Sequence, residues 1–261
     1  MTLVAGSALV TGGGSGIGRA IAEALAAGGA AVAVVDLLPG GGQETVARIA
    51  ASGGSATFVQ ADVGRWADVD RAVAAAGREL GPLGILVNAA GILDGYAPAE
   101  ELTPAVWERV IGINLTGTFF GCRRALAEML PRGAGRIVNI ASVAGLVGSG
   151  GGPAYTASKH GVVGLTRQLA VTYAARGVTV NAICPGAIAT ELRAHSTRIL
   201  GADAPEMRGV GGDDAAVRAI TPAGRRGTVE EVAQAACYLA SEAAAYVTGH
   251  ALVIDGGWTA R

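Results

Sequence analysis

Seven short apolar runs punctuate the chain, at Ser7–Thr11, 31–35, 56–61, 85–88, 136–141, 178–183 and Ala251–Ile254. They are dominated by Val, Ile, Leu and Ala and alternate little with polar residues, the pattern of strands buried on both faces. The segments between them carry apolar residues at helical spacing, or are rich in alanine, and read as helices. Strand–helix alternation from end to end demands crossover connections of one hand. It predicts an α/β fold: a doubly wound parallel sheet of about seven strands with helices on both faces. No linker, repeat or low-complexity break divides the chain, so residues 1–261 read as a single domain. The segment 191–226 alone lacks a regular pattern; it holds Gly201, Pro205, Gly209, Gly211, Gly212, Pro222 and Gly224 and reads as an irregular lid over a binding site.

Composition narrows the partners. Net charge is −1 with 16% charged residues, which speaks against a nucleic-acid surface or a polybasic membrane patch. With 51% apolar residues a membrane span must be considered, but the longest uncharged run, 137–158, is broken by glycines, Asn139 and Pro153. The first charged residue is Arg19, so the amino-terminal apolar stretch has no cationic flank and does not read as a signal peptide. Cys122, Cys184 and Cys237 are widely spaced and fit buried, reduced thiols of a cytoplasmic protein. His160, His195 and His250 have no ligand-like spacing, and no metal site is expected.

The first apolar run leads into Thr11-Gly12-Gly13-Gly14-Ser15-Gly16-Ile17-Gly18. The G-x-G-x-x-G pattern fails here in every register, whereas T-G-x-x-x-G-x-G fits through Thr11, Gly12, Gly16 and Gly18. Between a strand and a helix, such a loop brings backbone close to a pyrophosphate at the helix N-terminus. The second run ends at Asp36, a carboxylate placed to accept hydrogen bonds from both ribose hydroxyls and to repel a 2′-phosphate. No Lys or Arg lies within the glycine loop and Leu37 follows the acid, so the cofactor expected is NAD rather than NADP.

Tyr155 and Lys159 stand four apart after the helix-starting Pro153, hence one turn apart on one helix face. A phenol of ordinary pKa is a poor proton carrier at neutral pH, and a neighbouring ammonium favours its ionised form. The pair reads as a general acid/base, with Ser142 across a glycine-rich loop able to hold a substrate oxygen. Lys159 is the chain's one lysine among twenty basic residues, so the position needs a compact ammonium where every other cation is a guanidinium.

Together these residues make the chain resemble the short-chain dehydrogenase/reductase family in its short, single-domain form, of Rossmann type. The resemblance runs from Ser7 to about Gly257. It includes T-G-x-x-x-G-x-G, Asp62-Val63, Asn88-Ala89-Ala90-Gly91, Asn114, Ser142, Tyr155, Lys159, Pro185-Gly186 with Thr190, and Ile254-Asp255-Gly256-Gly257. The tract 157–166 is similar to members acting on secondary alcohols and cyclic ketones. What the resemblance implies is a catalytic set of Asn114, Ser142, Tyr155 and Lys159, with Lys159 also on the nicotinamide ribose and Asn114 positioning a water that passes the proton to solvent. Gly12, Ser15, Gly16, Ile17, Gly18, Asp36 and Leu37 would hold the adenosine and phosphates. Asp62 and Val63 would border the adenine, and Asn88, Ala89 and Gly91 would run along the cofactor. Pro185, Gly186, Ile188 and Thr190 would hold the nicotinamide. Asn88-Ala89-Ala90-Gly91 has one alanine where many members carry a second asparagine.

The implied reaction is NAD-dependent interconversion of a small-molecule secondary alcohol and a ketone. A 3-oxoacyl-carrier-protein reductase and a non-catalytic dinucleotide-binding regulator are the alternatives; Asp36 and the near-neutral charge speak against the first, the intact proton relay against the second. The substrate side should be lined by 93–96, 144–146, Ala187 and the lid, a roomy, mostly apolar space. Arg193, His195, Arg198 and Arg208 are lid cations that could meet an anion. Small residues at Ala157, Gly161 and Gly164 permit close helix approach, and the family pairs through this helix and the last strand, which implies a homotetramer or homodimer.

Overall fold

The computed structural model of the protein describes residues 2–260. Its seven strands are β1 (Ser7–Thr11), β2 (Val32–Asp36), β3 (Ala56–Gln60), β4 (Leu83–Asn88), β5 (Gly135–Ile140), β6 (Val178–Pro185) and β7 (Ala251–Ile254), all in one parallel sheet of order β3-β2-β1-β4-β5-β6-β7. The expected runs locate every strand, two of them with the same ends; the others shift by a residue or two, β6 reaching Pro185 by pairing with Ile254.

Strand residues point alternately to two cores. Ala8, Val10, Val32, Val34, Ile85 and Val87 meet α1 (Gly16–Ala27), α2 (Pro39–Ala51) and α9 (Val229–Leu239) on one face. Leu9, Ala33, Val35, Leu86, Ile137 and Val180 meet α3 (Trp66–Leu80), α5 (Gly117–Met129) and α6 (Pro153–Tyr173) on the other. Both sheet faces are therefore covered, the Rossmann-like arrangement that the alternation demands. The order reverses between β1 and β4, so the loops at their carboxyl ends part and open a crevice there.

Two segments differ from expectation. The lid segment is partly helical: α7 (Leu192–Leu200) and α8 (Asp214–Ile220) lie within it. Sequence pattern hides α7 because its apolar positions are few, and tertiary bonds hold it, notably Ser196 Oγ accepting from Leu93 N at 2.9 Å. Asn114 sits in a five-residue π-helical stretch, Gly112–Thr116, between α4 (Pro104–Ile111) and α5. Such a widened turn breaks the helical register and is common at functional sites.

Among the described residues no helix is long and apolar enough to cross a membrane.

Candidate active site

A groove of about 420 Å³ opens at the crevice. One end is the β1–α1 loop. Gly12 adopts φ +65°, and a Cβ there would come within 2.8 Å of Ala90, while a Cβ at Gly18 would stand 2.1 Å from Gly12 O. Only glycine permits this turn and this helix–strand approach. Ser15, the N-cap of α1, makes no side-chain cap to its helix, so the first-turn amides remain open for an anion. These features fit a dinucleotide's pyrophosphate. Ser15 Oγ lies 3.1 Å from His195 Nδ1 on α7, and Thr190 packs against Gly16, so the lid roofs this end.

Asp36 ends β2 beside the loop, its two oxygens accepting from Gly14 N and Leu38 N, each at 2.9 Å. Asp62 and Val63 also border the groove; Asp62 is braced by Gly64 N and by Arg109 at 3.0 Å. Gly12, Ser15, Gly16, Ile17, Gly18, Leu37, Ala89, Gly91, Pro185, Gly186, Ile188 and Thr190 line it as well. The sequence missed Arg19, one residue past the loop. Its guanidinium turns back into the groove, donating to Gly14 O at 2.6 Å and to Thr45 Oγ1, and pairs with Glu44 at 2.9 Å. Of the four lid cations, His195 and Arg198 line the groove. Arg193 is instead spent on the carbonyls of Met207 and Arg208, and Arg208 on Glu101 and Glu206.

At the other end stand Ser142, Tyr155 and Lys159. Pro153 starts α6, which places Tyr155 in its first turn and Lys159 one turn on, 7% and 5% exposed respectively. Lys159 Nζ donates to Ile140 O at 2.9 Å and lies 5.5 Å from the Tyr155 ring centroid. Ser142 follows β5 and accepts from Ala144 N at 3.1 Å, its hydroxyl near enough to the Tyr155 phenol to act on its titration. Burial pushes the phenol well above its ordinary pKa; the Ser142 hydroxyl opposes this, while Tyr96, Asp94 and Cys184 add to it. Burial likewise brings Lys159 down to about 8. The expected lowering of Tyr155 by Lys159 is therefore not seen in the protein alone: burial dominates, and Lys159 is not among the groups that shift the phenol.

Two of the expected residues do not face the groove. Asn88 lies beneath it, its Nδ2 donating to Asn139 Oδ1 at 2.9 Å in a buried network that continues from Asn139 to Thr166 Oγ1 at 3.0 Å. Asn88 thus ties β4 to β5. Replacing it by alanine should cost about 1–3 kcal/mol of stability in urea unfolding, because Asn139 loses a buried donor, and should leave NADH affinity unchanged. Asn114 stands behind Gly91: its Oδ1 accepts from Ile92 N, and its Nδ2 donates to Ile92 O and to Ser158 Oγ at 3.1 Å. Its amide joins the Gly91 turn to α6.

Of the residues expected on the substrate side, Leu93 and Ala144 form a small apolar cluster with Tyr155, with Tyr96, Leu192 and Met207 around it. Leu146 packs elsewhere, against Val162 and its neighbours. No group of three or more His, Cys, Asp or Glu that could hold a metal ion occurs among the described residues.

Residues 12–259 match a family model described as enoyl-(acyl carrier protein) reductase. A 2-(S)-hydroxypropyl-CoM dehydrogenase of Xanthobacter autotrophicus is 44% identical over 252 residues, 96% of this chain and 95% of its own. A cis-4-hydroxycyclohexanecarboxylate dehydrogenase of Sinomonas cyclohexanicum is 43% identical over 255 residues, 97% of this chain and 96% of its own. Among solved structures, a Beutenbergia cavernae protein carrying NADP at low occupancy superposes with a TM-score of 0.87 at 40% identity, covering 100% of this chain and 99% of that one. The chain belongs to the short-chain dehydrogenase/reductase family, whose members bind a nicotinamide dinucleotide.

Proposed function

We propose that the protein is an NAD(H)-dependent dehydrogenase that interconverts a small secondary alcohol and its ketone. The observation that carries this reading is the meeting of Ser142, Tyr155 and Lys159 at one end of a groove whose other end is a phosphate-fitting glycine loop. The loop amides, Asp36 and Asp62 would hold the adenosine and phosphates, and Pro185, Gly186, Ile188 and Thr190 the nicotinamide half. Bound there, the dinucleotide supplies the hydride acceptor at the alcohol carbon and, when oxidised, a positive ring. Ser142 holds the alcohol oxygen. Tyr155 takes its proton, and Lys159 stabilises the resulting phenolate. The proton's onward passage to solvent beside Lys159 and Asn114 belongs to the same proposal. In reduction the roles reverse, with Tyr155 as acid.

Asp36 supports NAD over NADP, since its carboxylate would confront a 2′-phosphate while Arg19 is already neutralised by Glu44. Fluorescence titration should show NADH binding at least ~10-fold more tightly than NADPH, about 1.4 kcal/mol, and Asp36→Ser should narrow the gap. Tighter NADPH binding would reverse the assignment.

The apolar cluster favours a cyclic or aryl secondary alcohol. The lid cations Arg193 and Arg208 are engaged within the protein and offer no dedicated anchor for a charged group. The alternative, reduction of the keto group of a 3-oxoacyl chain on a carrier protein, is less favoured, since the near-neutral charge provides no basic dock for an acidic carrier. The free cysteines fit the reducing cytoplasm as the proposed location.

A homotetramer or homodimer is proposed as the working assembly. Gly161 packs within the chain against Leu115, whereas Gly164 faces open space on α6, with Val171 exposed two turns on. Light scattering should therefore give a mass of two or four chains, and a mass of one chain would refute it.

A further inference from the structure

One buried acid takes no part in the scheme above. Asp94, in the loop between β4 and α4, is 0% exposed, and no cation pairs with it among the described residues. Burying an unpaired carboxylate is costly unless hydrogen bonds hold it. Here three backbone amides do so: Oδ2 accepts from Tyr155 N at 2.9 Å, and Oδ1 accepts from Gly152 N at 3.2 Å and from Tyr96 N at 3.3 Å.

Two of those donors belong to the start of α6. That helix has glycine as its N-cap, so no local side chain closes its first turn, and Pro153 lacks an N–H. The cap arrives instead from 61 residues away, and the amide it holds is that of Tyr155 itself. A carboxylate at a helix N-terminus is also favoured by the helix dipole. The same loop makes a second tie. Tyr96, at φ +57°, sends its hydroxyl to Gly150 O at 3.1 Å. The left-handed backbone at a non-glycine residue is held by these bonds rather than by preference.

We propose that Asp94 is a positioning residue of the dehydrogenase reaction: by capping α6 from the loop after β4, it fixes the backbone of Tyr155, and so the phenol, against Ser142 and the apolar substrate cluster. The proposal rests on the proposed role of Tyr155. Its chemical signature follows from charge. The groups around the Tyr155 phenol are Ser142, Tyr96, Asp94, Cys184 and Lys159, and Arg193 acts on Tyr96. Of these, Asp94 is the carboxylate, and its charge favours the protonated phenol.

The test is Asp94→Asn, which keeps size and removes charge. Turnover should fall by at least ~10-fold, the loss expected when a reacting group is slightly misplaced, while NADH affinity stays within about twofold. The limb of the pH–rate profile assigned to Tyr155 should move to lower pH. A folded variant with wild-type turnover overturns the proposal. So does one whose turnover falls with the limb unmoved, because that marks a purely structural residue. If Asp94→Asn does not fold, Gly152→Ala decides. Its new methyl would stand 2.6 Å from both Asp94 oxygens and displace the carboxylate without removing its charge. Turnover should then fall with NADH binding retained, and wild-type turnover overturns the proposal. Tyr155→Phe in the same assay separates the two claims. Full activity there sinks the reading of the site; an inactive Tyr155→Phe beside a wild-type-like Asp94→Asn sinks only the role of Asp94.

Discussion

Tyr155→Phe should bind NADH within about twofold of wild type yet turn over roughly 10²–10⁴ times more slowly, the range a lost general acid/base commands. The binding half of this expectation follows from geometry. The phosphate end of the groove is built by the β1–α1 loop and the ends of β2 and β3, none of which touches the phenol, and phenylalanine preserves the ring that packs against Leu93 and Ala144. The kinetic half follows from the inventory of groups nearby. Ser142 is committed to Ala144 N, and Lys159 points to Ile140 O, so neither can take over as the proton acceptor. Stopped-flow binding and steady-state rates on one preparation check both halves.

Lys159→Met should likewise lose turnover, and at the same time make the cofactor-free protein more stable. The ammonium is 5% exposed, and burial lowers its pKa from 10.5 to about 8. Below about 8 both folded and unfolded chains carry the proton and the full penalty of the buried charge applies. From about 8 up to 10.5 the unfolded chain binds more protons, so stability from this group rises with pH, and above that range the penalty is gone. The penalty at neutral pH amounts to about 3 kcal/mol, less about 1 kcal/mol for the Ile140 carbonyl that loses its donor. Thermal unfolding at neutral pH should therefore show methionine ahead by about 1–3 kcal/mol, with the advantage shrinking as pH rises through the window above. A buried amine kept at such a cost is what a functional site, rather than a fold, requires.

Much of this was readable in the chain because the signals were local. An apolar run flanked by helical spacing is a strand whatever its neighbours, and the loop 11–18 between strand and helix has few other uses. Tyr155 and Lys159 were legible from helical periodicity, and Lys159 stood out because the chain avoids lysine everywhere else. What escaped depends on contacts between distant segments. The direction of the Asn88 side chain is set by Asn139, fifty-one positions away, and cannot be inferred from its place beside the Gly91 turn. Helix α7 is held by bonds to Leu93, Met207 and Arg208 rather than by its own pattern. Arg19 lies past the loop along the chain, yet one helical turn brings its guanidinium back to Gly14. Asp94 carries no local signal along the chain; the fold alone brings it to the start of α6.

The central claim is that this groove moves a hydride from an alcohol carbon while Tyr155 moves the proton. It is tested most directly by mixing the protein with NAD⁺ and cyclic or aryl secondary alcohols, unlabelled or deuterated at the carbinol carbon, and following NADH absorbance. NADH should form one-for-one with ketone, more slowly with the deuterated alcohol, and its formation should be lost in Tyr155→Phe. NADH appearing equally fast in Tyr155→Phe, or NAD⁺ bound without any alcohol being oxidised or ketone reduced, would contradict it.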